Sequence, residues 1–183
     1  MKTAIETERL LLRELLPTDD IGLFELDSDP DVMKYVGVKP FTHIDQTRQL
    51  IEFIRQQYLE HGIGRWAVTL KETGEFLGWA GLKFIKEMNG RANNYDLGYR
   101  ILKKHWGKGY ATEAAQAFID FGFNEMHLDR VSAYIDVNNI ASQKILEKCG
   151  LKFVNTFMDG GDLCAWYEIY KIKQSAQKSI NIM

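Results

Sequence analysis

Leu102-Lys103-Lys104-His105-Trp106-Gly107-Lys108-Gly109-Tyr110-Ala111-Thr112-Glu113 is the stretch on which the reading of this chain turns. It joins a strand-like run, 95–102, to a helical run, 111–126. A strand, two glycines one residue apart and a helix start form a concavity into which free N–H groups point, and the helix dipole adds to their pull on an anion. Lys104 and Lys108 put positive charge at its rim. A plain strand-to-helix turn is the competing reading, because a short glycine pattern is weak on its own. Two familiar phosphate loops are excluded. A Walker loop has Lys-Ser/Thr after its last glycine, whereas Gly109 is followed by Tyr110. A dinucleotide fingerprint needs a third glycine, and the position three after Gly109 holds Thr112.

A chain of 183 residues suits one domain, and 45% hydrophobic residues supply a sizeable core. A net charge of −2 argues against a general nucleic-acid binder. The start lacks a signal-peptide pattern and no 18-residue apolar run exists, so a cytoplasmic protein without a membrane partner is expected. Cys149 and Cys164 have no metal-type spacing, and His43, His61, His105 and His127 are scattered, so no metal site is expected.

Along the chain, 9–13 reads as a first strand. Pro17 opens a helix carrying Ile21, Phe24 and Leu26, a second short helix ends near Lys34, and 35–42 is loop. Leu50, Ile51, Ile54, Tyr58 and Leu59 recur at helical spacing over 45–60, closed by Gly62. Strands 66–70 and 76–82 flank a hairpin loop, and 86–93 reads as a polar connector to the fourth strand, 95–102. Ala111, Ala114, Ala115, Phe118 and Gly122 form a small-residue face on the next helix. Strand 130–136 follows, then a helix 140–148 capped by Asn138-Asn139, with Ala141, Ile145 and Cys149 inward and Gly150 as its stop. Runs 152–158 and 163–173 close as a strand pair, and 173–183 reads as a loose tail behind a domain of residues 1–172. The order is that of a mixed α/β sheet with helices on both faces.

Two spaced segments then carry a resemblance. Trp106-Gly107-Lys108-Gly109-Tyr110-Ala111-Thr112-Glu113-Ala114 resembles the acetyl-CoA pyrophosphate loop of the GNAT acyltransferases. The run from Asn139 through Ser142 to Leu151 resembles their second motif. The wording is closest to the RimJ/RimL type of ribosomal-protein N-terminal acetyltransferases, as are Thr7-Glu8-Arg9-Leu10-Leu11-Leu12-Arg13 and Leu97-Gly98-Tyr99. The resemblance implies a GNAT fold, with a mostly antiparallel central sheet and splayed fourth and fifth strands. It also implies acetyl transfer from acetyl-CoA to an amine acceptor, either a peptide N-terminus or a small molecule, by a monomer or homodimer. A non-catalytic acetyl-CoA sensor on the same fold is the alternative. Lys104 stands where the family usually has Gln or Arg, and Leu146 where many members have a general-acid tyrosine.

Under this resemblance the cofactor residues are Tyr99, Ile101, Leu102, Lys104, Trp106, Gly107, Lys108, Gly109, Tyr110, Ala111 and Thr112, with Asn139, Ser142 and Lys148 on the far wall. The attacking amine must be neutral. Deprotonation at neutral pH costs roughly 4–5 kcal/mol for a lysine-like amine and about 1 kcal/mol for an α-amine. Asp96 is the first candidate base, ahead of Asp136 and Glu168, and Ser142 the donor to the departing thiolate. Solvated strand-end acids and a helix-cap serine are the alternative readings. Trp66 and Trp79 read as core or pocket wall, and Cys149 as a buried, inert thiol.

Overall fold

The computed structural model describes residues 4–172. Its strands are β1 (Ala4–Glu6), β2 (Leu10–Glu14), β3 (Arg65–Leu70), β4 (Phe76–Met88), β5 (Arg91–Ile101), β6 (Arg130–Asp136), β7 (Lys152–Asp159) and β8 (Asp162–Tyr170). They form one sheet in the order β1-β2-β3-β4-β5-β6-β8-β7. Every neighbouring pair is antiparallel except β5–β6. The helices are α1 (Asp20–Ser28), α2 (Pro30–Met33), α3 (Ile44–His61), α4 (Tyr110–Asn124) and α5 (Ile140–Lys148). The tail read at 173–183 falls outside the described residues. No described helix is long and apolar enough to cross a membrane.

Two strand readings change. A short β1 precedes the expected first strand, so the fourth and fifth strands of the sequence reading are β5 and β6. The polar connector at 86–93 is instead the end of a long β4–β5 hairpin, paired through Met88↔Arg91. Asn89 (φ 51°) and Gly90 (φ 67°) sit between them, both left-handed, as a two-residue hairpin turn matching the strand twist requires. Lys86, Glu87, Arg91 and Asn93 are polar because that end of the ribbon is exposed or half-exposed, not because it lacks pairing.

The helices cover both faces. Trp79 packs with Leu23, Leu26 and Ile51 of α1 and α3, while its strand neighbour Ala80 belongs to the main core with Ala114, Ala115 and Phe118 of α4. Gly122 lets α4 lie close, since a Cβ there would come 3.0 Å from Leu82 Cδ1. Leu59, read as part of the buried stripe of α3, is 82% exposed. In α5 Leu146 is buried and Ile145 packs against the core, with Cys149 buried just past the helix end; of the residues read as inward, Ala141 alone is exposed, because the first turn faces a cavity instead of the core.

β5 and β6 meet at a single register pair, Asp96↔Ser132, backed by the Ser132 hydroxyl donating to the Tyr95 carbonyl at 3.3 Å. Beyond it the strands part. Residues 97–101 of β5 stay paired only with β4, leaving the other edge open.

Close backbone approach across this ribbon demands glycine at Gly78, whose φ is 147° and where a Cβ would lie 2.0 Å from the Arg100 carbonyl oxygen. Gly78→Ala should destabilise the fold by about 2–3 kcal/mol, a fall of roughly 5–10 °C in melting temperature by calorimetry.

Candidate active site

The gap between β5 and β6 opens into a cavity of about 1060 Å³. One half is bounded by the glycine turn and the starts of α4 and α5. Gly107 (φ 76°) and Gly109 (φ 83°) are both left-handed, and a Cβ on Gly107 would meet nothing within 4 Å, so side-chain-free backbone borders the cavity there. The first bond of the helical ladder runs from the Glu113 amide to the Gly109 carbonyl at 3.0 Å. The amides of Tyr110, Ala111 and Thr112 therefore lie ahead of the ladder, free for an anion. Trp106 pins the turn through its indole N–H to the Ile101 carbonyl at 2.7 Å.

The sequence reading missed what holds this turn in place. Arg9, just before β2, donates to the Lys108 carbonyl at 2.9 Å and stacks 4.6 Å over the Tyr110 ring. Its Nε also reaches Glu113 Oε2 at 2.7 Å, and Thr7 donates to Glu113 Oε1. Partial burial raises the Glu113 carboxyl, but the bonds from Thr7 and Arg9 prevail and hold it below its ordinary value. The Thr7–Arg13 segment matched the family wording, and these contacts give it a physical task.

Of the expected cofactor residues, Tyr99, Ile101, Trp106, Gly107, Gly109, Tyr110, Ala111, Thr112, Asn139, Ser142 and Lys148 all line the cavity. Leu102, Lys104 and Lys108 are not among its lining residues. Leu102 is buried against α1 and α3. The Lys104 ammonium pairs with Glu25 at 3.0 Å, and that of Lys108 approaches His105 Nδ1 at 3.4 Å. Lys103, one residue earlier, reaches the wall instead. On the far side the Asn139 side chain caps α5 by accepting from the Ser142 amide at 3.1 Å. The cap function is thus carried by Asn139, and the half-buried Ser142 borders the cavity.

The other half is an acceptor-sized chamber whose key residues, apart from Asp96 and Asp136, sequence reasoning did not single out for chemistry. Asp96 is 4% exposed, and its Oδ2 pairs with Arg65 Nη2 at 2.5 Å. Its Oδ1 is buried with no partner in hydrogen-bond geometry among the described residues. Burial raises the Asp96 carboxyl above its ordinary value, against the pull of Arg65, Lys83 and the Tyr134 backbone amide. Arg65 also binds the Asp96 carbonyl at 2.7 Å, and Gly98 leaves the space it needs, since a Cβ there would lie 2.6 Å from Nη2. Arg65 (5.2 Å) and Arg100 (4.9 Å) both lie against the Trp79 ring, and Arg100 is paired with buried Asp27. Tyr134 lines the wall with its phenol pushed up to about 12, by burial first and then by Asp96 and Asp159.

Glu168 lies outside the cavity lining, bound to Trp166 Nε1 (2.9 Å) and Tyr170 Oη (2.7 Å) and paired with Arg91 (3.2 Å). Trp66 is core and Trp79 is wall. Cys149 is buried with its thiol raised, whereas Cys164 is on the cavity wall.

The forked sheet thus carries a glycine turn with unladdered helix amides at one branch and a buried carboxylate at the other. The acetyltransferase (GNAT) domain model matches residues 9–152, and the chain belongs to that family. It is an N-acetyltransferase, and acetyl-CoA is the acyl donor that this family uses. A protein of Bacillus licheniformis, "Uncharacterized N-acetyltransferase p20", is 41% identical over 140 residues, covering 76% of this chain and 77% of its own. A GNAT acetyltransferase structure from Bacillus anthracis superposes with a TM-score of 0.78 at 30% identity, covering 91% of this chain and 98% of that one. RimL, a ribosomal L7/L12 alpha-N-protein acetyltransferase solved in complex with coenzyme A, shares the fold at a TM-score of 0.76 and 16% identity, covering 91% and 97%.

Gly107→Val should raise the apparent KM for acetyl-CoA about 10-fold or more, with the acceptor KM little changed, in steady-state CoA-release kinetics. Arg9→Ala should weaken acetyl-CoA binding about 3- to 10-fold by calorimetry, and Arg9→Lys should not restore it, because a lysine cannot span the Lys108 carbonyl and Glu113 together.

Proposed function

We propose that the enzyme transfers acetyl directly to a primary amine held in the Asp96 chamber, and that the amine belongs to a small molecule. The observation that carries this is one continuous cavity joining the glycine turn to a buried carboxylate, one oxygen of which has no partner in hydrogen-bond geometry among the described residues. Acetyl-CoA supplies a thioester whose acyl carbon the amine nitrogen attacks, the C–S bond breaking as CoA leaves.

The chain's own residues meet the remaining requirements. Backbone amides from Gly107 to Thr112 grip the pyrophosphate, at about 1.5–3 kcal/mol per charge-assisted bond. The open edge of β5 receives the amide-bearing arm as an added strand would. Asp96 Oδ1 accepts the amine proton directly or through one water. Ser142 donates a hydrogen bond to the departing sulfur, and Tyr134 adds a neutral hydroxyl where Leu146 replaces the tyrosine common in the family. Leu146, fully buried, keeps that wall dry.

A protein N-terminus, the acceptor in RimL's own name, would require an open groove between the 35–42 loop and the last hairpin. These two walls meet: a Cβ on Gly37 would lie 3.2 Å from Asp162 Oδ2. That contact favours the small acceptor.

The test is thiol release from acetyl-CoA against a panel of small amines and N-terminal peptides. Release dependent on small amines is the expected result, and cofactor binding with no acceptor-dependent release would return the sensor reading. For the base, Asp96→Asn should lower kcat/KM about 100-fold at pH 6.5 and far less at about pH 10.5, where roughly half of an aliphatic amine is already neutral. Burial raises Asp96, so the wild-type acid limb should fall at a higher pH than a free aspartate's ~3.9. A pH-independent deficit would remove Asp96 from this role.

A further inference from the structure

Three carboxylates stand where the acceptor chamber meets solvent. Asp136 ends β6, Asp159 ends β7 and Asp162 begins β8. Register brings them to one corner of the sheet, since Asp159 faces Asp162 across the hairpin and Asp136 faces Cys164. All three line the cavity. One oxygen of Asp136 accepts from the amide and side chain of Asn138, and no cation pairs with any of the three among the described residues. Their fields converge on Cys164, whose thiol is raised by burial and then by Asp159, Asp136 and Asp162.

The other charges of this half are already matched. Arg65 holds Asp96 and Arg100 holds Asp27. Lys34 is the remaining cation of the acceptor wall and sits over the Tyr35 ring at 5.1 Å. The chamber is therefore net negative at its mouth. A second, independent feature points to a hydrogen-bond donor inside it: Asp96, 4% exposed and on the cavity wall, has an Oδ1 with no partner in hydrogen-bond geometry. Tyr134 lines the same cavity, and its phenol is raised by burial and then by both Asp96 and Asp159.

Resting on the acetyltransferase reading above, we propose that the acceptor is a small aliphatic diamine or polyamine, with its reacting amine at Asp96 and a second ammonium held by Asp136, Asp159 and Asp162. Like charges so placed repel one another until a cation joins them. The contact between Gly37 and Asp162 narrows the mouth to a flexible chain of small cross-section. The balance of the reaction is unchanged: one N–C bond forms, one C–S bond breaks, and the second ammonium keeps its protons.

The experiment compares matched pairs in CoA-release kinetics at low salt: 1,3-diaminopropane with propylamine, 1,4-diaminobutane with butylamine, and spermidine, alongside N-terminal tetrapeptides with and without a lysine at the second position. The diamines should show kcat/KM about 10-fold or more above their monoamines, and the advantage should shrink as ionic strength rises. In Asp159→Asn/Asp162→Asn the advantage should fall to about 3-fold or less, with melting temperature and acetyl-CoA affinity as checks on folding. Monoamines matching diamines, or peptides outperforming both, would overturn the dication assignment while leaving the acetyltransferase reading intact. Acetyl-CoA binding with no release for any amine would overturn both.

Discussion

A strand that loses its neighbour halfway along is the constraint from which the active site follows. β5 is paired along its length with β4 but meets β6 only at Asp96, and past that point its second edge faces a cavity. Backbone N–H and C=O groups cannot be left dry and unpaired, so this edge must meet water or a ligand that reproduces a strand. The same parting lets α4 begin inside the gap, with its unladdered amides turned to the opening. Fork, turn and helix start thus compose one device.

The two halves of the cavity differ in their electrostatics. The half nearest the turn offers backbone amides, with Lys148 and Lys103 on its wall. The other half contains two arginines, but both are bound to buried carboxylates and lie against the Trp79 ring. Such buried pairs contribute little net stability, because desolvation offsets most of the attraction. Their effect is to fix the geometry of the wall, and the charges left without an ion-pair partner there are the three aspartates and Lys34, a net negative balance.

The fold was largely legible in the chain order, and the errors have local causes. The β4–β5 hairpin was shortened because exposed strand ends carry polar residues. Asn89-Gly90, a strong hairpin signal, was there to correct the reading. Ala141 was read as inward in α5 but is exposed, because the first turn of that helix lines a cavity rather than the core. Lys104, read as a phosphate contact from its nearness to the glycines, is drawn to Glu25, a residue of a distant helix.

What the sequence determined by itself was the turn between Leu102 and Glu113 and the capped helix from Asn139 to Gly150. Left-handed glycines, a cap side chain and a helix start are demands of the backbone met by residues adjacent in the chain. Only the tertiary structure decided that Arg9 holds that turn, that Arg65 and Arg100 lie against Trp79, and that Asp136, Asp159 and Asp162 share one corner. Each of these depends on which strands lie side by side in the sheet. That order arises from packing between segments far apart in the chain, and no local run of residues specifies it.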